Sequence, residues 1–126
     1  MKFIISIGTN LCHVEALLNL NKAEILLNDL FHGDAKFSHY YETEGVGSGV
    51  GKKYYNEVAI GETDLSYIEI RNKLKQIESD LGRTIETKKQ GIVPIDLDLI
   101  KLGDIIYKVK DLEQEYVKIG LEMLGV

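Results

Sequence analysis

The apolar residues change period along the chain, from strand-like to helical and back, and this ordering limits the fold more than any other feature. Lys2 to Ile7 is β-branched and aromatic with almost no polar interruption, the pattern of a central strand covered on both faces. From His13 to Leu30 the residues Ala16, Leu20, Ala23, Leu27 and Leu30 recur at helical spacing, with Asn10 placed to cap the helix and Gly33 to close it. Lys36 to Thr43 reads as a strand, Gly45 to Gly51 as a mobile glycine loop, and Tyr54 to Ile60 as a strand again. Ser66 and Glu69 have the spacing of a capping box and open a second helix. Its buried stripe is Tyr67, Ile70, Leu74, Ile77 and Leu81, with Lys73, Gln76, Glu78 and Asp80 on other faces and Gly82 at its end. Arg83 to Pro94 shows neither period and is expected to be a long loop. Ile95 to Leu102 is a strand, and a short helix from about Glu113 to Leu124 ends the pattern.

Strand, helix, two strands, helix, strand is the order of an α+β ferredoxin-like βαββαβ sandwich, an antiparallel sheet with helices on one face plus the short C-terminal helix. With 126 residues, 44% of them apolar, the chain suits one domain with its own core. No apolar run approaches the ~20 residues that cross a bilayer, so a cytoplasmic protein is expected. Cys12 is the only cysteine and the histidines stand apart at 13, 32 and 39, which leaves no disulfide and no thiolate zinc site to expect. The net charge of −5 disfavours nucleic acid and anionic membranes as partners. Any phosphate must be gripped by a local group.

The glycine loop is the first place to look for such a grip. Its glycines alternate at 45, 47, 49 and 51, so a dinucleotide fingerprint fails at Val50 or Lys52 and a Walker motif fails at Val46. A strand follows it rather than a helix, and flexibility is its expected contribution. Asp96 and Asp98 are more telling, because residues two apart on a strand share a face with Cα atoms ~6.5 Å apart. Paired carboxylates suit a hard cation such as Mg²⁺, although a solvated strand face would read the same way. Arg83, Lys88 and Lys89 just before them supply the positive charge that phosphoryl transfer requires. Tyr54 and Asn56, also two apart, offer a ring for stacking and an amide that both donates and accepts, a pairing that fits a planar heterocycle.

Taken in order, these motifs resemble the 6-hydroxymethyl-7,8-dihydropterin pyrophosphokinase family. The resemblance covers most of the chain and rests on five segments. They are Ile7-Gly8-Thr9-Asn10-Leu11, Tyr41-Glu42-Thr43-Glu44 with Gly47, Tyr54-Tyr55-Asn56, Ile77 to Arg83, and Ile95-Asp96-Leu97-Asp98-Leu99. It implies transfer of pyrophosphate from ATP to the pterin hydroxymethyl group, with release of AMP and with two Mg²⁺ held by Asp96 and Asp98. It implies further that Gln76, Glu78, Lys88 and Lys89 lie at the nucleotide and that Arg83 meets the phosphates. Thr43, Val46, Tyr54, Asn56 and Leu121 would line the pterin pocket. Small-molecule substrates and a monomer or weak homodimer go with this reading.

The departures lie on the nucleotide side. Where the family pattern runs Arg-Trp-Gly-Pro-Arg-Thr-Leu, this chain has Lys89-Gln90-Gly91-Ile92-Val93-Pro94-Ile95, and Ile85 replaces a further loop arginine. Isoleucine and valine offer no charge to a developing phosphate oxygen. The usual His-Pro or His-Tyr segment near the C-terminus is replaced by Leu112-Glu113-Gln114-Glu115-Tyr116, and Leu121 stands for a stacking aromatic. Two other readings therefore stay open: a noncatalytic paralogue that binds pterin or metal, and a ferredoxin-like interaction domain that binds neither.

Overall fold

The computed structural model describes residues 1–45 and 52–126. β1 (Lys2–Thr9) is followed by α1 (His13–Leu30), β2 (Ala35–Phe37), β3 (Tyr41–Glu44), β4 (Lys53–Glu62) and α2 (Tyr67–Asp80). The second half contains α3 (Ile85–Lys89), β5 (Asp96–Leu102), β6 (Ile105–Ile106), α4 (Val109–Leu112) and α5 (Glu115–Met123). The sheet runs β2-β4-β1-β5-β6, with β3 also on β4, and every pairing is antiparallel. This is the ferredoxin-like α+β arrangement the residue pattern predicts, with β1 central.

Phe3, Ile5 and Ile7 of β1 are fully buried against the stripes of α1 (Ala16, Leu20, Ala23, Leu27) and α2 (Ile70, Leu74, Ile77). Each such side chain contributes roughly 1.5–3 kcal/mol by leaving water, which makes this face the stable base of the molecule. The other face carries the even-numbered residues of β1 and is only partly covered, by α5. There a Cβ on Gly120 would fall 2.5 Å from Val58 Cγ2, so only glycine lets helix and strand meet so closely. No helix among the described residues is long and apolar enough to cross a membrane.

Several expectations need correcting. The strand expected over 36–43 is broken, because the Ser38 hydroxyl accepts from Val58 N–H and its own N–H donates to the Val58 carbonyl, which ends one pairing and starts another. Asn10 does not cap α1; Cys12 stands at the cap without a side-chain bond, and Asn10 is used elsewhere. The loop expected at 83–94 contains α3, started by a Thr84–Thr87 capping box that five residues without an apolar stripe do not reveal. The C-terminal helix begins two residues late and is preceded by β6 and α4. Ser66 caps α2, its hydroxyl accepting from Glu69 N–H, but the reciprocal bond from the Glu69 carboxylate that completes a capping box is not formed. Val46 and the rest of the glycine loop from 46 to 51 lie outside the described residues.

Candidate active site

Sheet register assembles the site. Tyr41 pairs with Asn56, Asn56 with Gly8 and Gly8 with Asp96, so these four residues form one row across the same face. The neighbouring row holds Val58, Ser6 and Asp98, and Thr43 pairs with Tyr54 at the open end. Residues distant in sequence thus share one surface, on the side away from α1 and α2. Gly8 leaves a gap in the row between the amide of Asn56 and the carboxylate of Asp96. That gap floors a pocket of about 190 Å³ lined by Ser6, Gly8, Thr43, Tyr54, Asn56, Asp96 and Tyr116, among others. Asn56 is buried there and its Nδ2 donates to the Thr43 hydroxyl, which fixes the amide's orientation. A Cβ on Gly8 would sit 3.1 Å from Asn56 Oδ1. We expect Gly8→Val to fill the floor and abolish binding of a flat heterocycle while the protein stays folded, to be checked by calorimetry beside a thermal melt.

Arg83 leaves the end of α2 and turns back over β5. Its Nη1 donates to Glu78 Oε2 at 2.9 Å and to Asp96 Oδ1 at 2.8 Å. Burial works against the guanidinium charge, but the bond to Asp96 and the charges of Glu78, Asp96 and Asp98 outweigh it and raise its pKa. Glu78 was expected on another face of the helix, yet it is only 4% exposed. It stands four residues after buried Leu74, on the same stripe, and its Oε2 also accepts from Leu97 N–H at 2.8 Å. One buried carboxylate therefore ties α2, Arg83 and β5 together, and the charged partners offset its desolvation. Lys75, three residues before it, approaches Glu78 Oε1 at 3.5 Å. Gln76 does not share that face; it donates to Asp80 and lies in a groove with Leu30 and Leu65.

Asp98 is the more enclosed of the two aspartates. Burial first, and then the charge of Asp96, push its pKa up to about 7, while Lys108 pulls the other way. Two carboxylates held this close favour a shared proton or a cation between them. Beyond Asp98 a cavity is lined by Tyr67, Arg71, Leu74, Lys75 and Lys108 among others. On the opposite flank Arg83, Lys88 and Lys89 line a second one together with Lys52 and Tyr54. Leu121 lies on α5 outside the lining of the central pocket, where Tyr116 is found instead. Tyr116 and Lys52 escape a reading by spacing because each comes from a separate element, and only the fold brings Tyr116 beside Asp96 and Lys52 beside Arg83.

Residues 4–124 match the model of the 7,8-dihydro-6-hydroxymethylpterin-pyrophosphokinase family. The chain belongs to that family. It is 31% identical over 100 residues to a folate synthesis bifunctional protein of Arabidopsis thaliana, covering 79% of this chain and 20% of that protein. A folate synthesis bifunctional protein of Chlamydia caviae is 30% identical over 125 residues, covering 95% of this chain and 26% of that protein. A folic acid synthesis protein of Dictyostelium discoideum is 40% identical over 60 residues, 48% of this chain and 9% of that protein. The chain thus spans about a quarter or less of the length of these relatives. The row Asn56–Gly8–Asp96 places the central pocket directly beside Asp96.

Proposed function

We propose that the protein transfers the pyrophosphoryl group of ATP to the hydroxymethyl group of 6-hydroxymethyl-7,8-dihydropterin, releasing AMP. The observation that carries this reading is the pocket between Asn56 and Asp96: a flat ring seated there has its substituent at the carboxylates. Asn56, oriented by Thr43, pairs with the polar edge of the ring, while Tyr54 and Tyr116 supply aromatic surface. The substrate hydroxyl oxygen bonds to the β-phosphorus as the bridge to the α-phosphorus breaks, AMP keeps the bridging oxygen, and the hydroxyl proton passes to solvent. No side chain acts as nucleophile. The residues contribute alignment and charge, which phosphoryl transfer chiefly requires.

Two hard carboxylates on one strand face fit Mg²⁺, which takes one or two such ligands and completes its shell with water and phosphate. Asp96 and Asp98 would hold the ions, which would supply positive charge to the phosphate oxygens. Arg83, held by Glu78, keeps a permanent positive charge against the same edge. The test is AMP release by the purified protein with ATP, MgCl₂ and the hydroxymethyl dihydropterin. Pterin-dependent AMP supports the reading. Pterin binding by calorimetry with no AMP at high protein concentration overturns it.

That second outcome would mark a pterin-binding module. One observation favours it: Ile85, where the family has a loop arginine, is 78% exposed on α3 and brings no charge to the cavity.

A further inference from the structure

The flanking cavity of about 360 Å³ is unusual for a chain with net charge −5. It is lined by Lys52, Tyr54, Arg83, Lys88, Lys89, Gly91, Ile92 and Val93, four cations and not one carboxylate. Arg83 is already committed to Glu78 and Asp96. Lys52, Lys88 and Lys89 have no ion-pair partner among the described residues. Three lysines gathered without a counter-charge repel one another, a cost that a bound polyanion removes.

Lys52 is the member that spacing gives no reason to expect. It follows the glycine loop, 36 residues before Lys88 on α3, and is brought across by the base of the β3–β4 hairpin. The Gly45 N–H donates to the Lys52 carbonyl at 2.7 Å, next to the Glu44–Lys53 pair, which anchors the Lys52 backbone. Its Nζ donates to the Gly91 carbonyl at 3.1 Å. The same carbonyl accepts from Asn10 Nδ2 at 2.9 Å, and Asn10 Oδ1 accepts from Val93 N–H at 2.7 Å. The segment carrying Gly91 to Val93 is therefore clamped by Asn10, just after β1, as well, and does not depend on Lys52 for its position. Gly91 has φ +71°, a left-handed conformation that favours glycine, and the Lys52 ammonium lies over the position a Cβ would take.

We propose that Lys52 binds the polyphosphate chain of the nucleotide substrate, standing in for the charge absent at Ile85 and Val93. This rests on the pyrophosphoryl-transfer reading. An ammonium carries three donors, so the bond to Gly91 leaves two for phosphate oxygens. Tyr54 lines both this cavity and the heterocycle pocket, so a phosphate chain at Lys52 lies directly next to the acceptor.

The probe is sodium tripolyphosphate with Mg²⁺, titrated calorimetrically into the full chain, so that binding is measured without turnover. Lys52→Gln is expected to weaken it about tenfold or more, Lys52→Arg to restore most of it, and Lys22→Gln on α1 to change nothing. In the AMP assay Lys52→Gln raises KM for ATP and leaves KM for the pterin unchanged. Tripolyphosphate binding by Lys52→Gln equal to that of the unaltered chain overturns the proposal. So does an equal loss in Lys22→Gln, which would trace the effect to net charge. Lys52-dependent binding in a protein that releases no AMP supports the site and sinks only the activity; AMP release with unchanged ATP KM in Lys52→Gln does the reverse.

Discussion

Asp98→Asn lowers pterin-dependent AMP formation by ~10³-fold or more and leaves the fold intact. Asparagine keeps the shape of the side chain but removes one of the two negative charges proposed to hold a divalent cation, and an amide is a far poorer ligand for Mg²⁺ than a carboxylate. Stability responds differently. In the folded chain the Asp98 charge is opposed by burial and by Asp96, so the neutral amide relieves repulsion and the melting temperature in the absence of metal stays level or rises. The check is AMP formation at saturating MgCl₂ alongside thermal melts in EDTA. Retention of more than a tenth of the rate would remove Asp98 from the proposed centre, and a collapsed melt would make its role structural.

The second large effect lies on the opposite face of the sheet. Glu57 pairs with Ile7 in the middle of β4, is 2% exposed, and has a buried Oε1 without a hydrogen-bond partner among the described residues. Burial, with the charge of Glu24 on α1 adding to it, pushes its pKa from 4.5 up to about 8. The folded state thus holds the proton more tightly than the unfolded state. The stabilising contribution is complete below about pH 4.5, declines as pH rises, and is lost by the time pH passes about 8. At roughly 1.4 kcal/mol for each unit, the loss is on the order of 3–5 kcal/mol, a large share of the stability of a domain this size.

Glu57→Met keeps an unbranched side chain of similar length and removes the titration. It is expected to unfold at much higher urea concentration than the unaltered protein at pH 9, with a far smaller difference at pH 4.5. Parallel stability curves across that range would show that Glu57 is not the group responsible. The site should be indifferent to the change, since Glu57 points into the helix-covered core while Asn56, its neighbour, lies on the other face.

The ferredoxin-like order was legible because a sheet and two helices of this size must bury stripes whose periods, two and 3.6, are written in the apolar residues. Asp96 and Asp98 were legible for the same reason, since one strand carries both. Glu78 was equally within reach, being Leu74 plus four, but its charge argues against a buried position until Arg83 and Leu97 N–H are in view. The five residues of α3 and the break after β2 rest on a few local side-chain bonds, from Thr84, Thr87 and Ser38, that leave no periodic trace.

What the residue order alone determined is therefore local: which segments form strands or helices, which face each presents, and that a carboxylate pair follows a basic stretch. Register and long-range contact decided the rest. Only antiparallel pairing of β4, β1 and β5 sets Asn56, Gly8 and Asp96 in one row, and only the hairpin base brings Lys52 to Gly91. Such proximity between distant residues comes from strand alignment and the packing of separate elements, and neither is encoded in the spacing of neighbours.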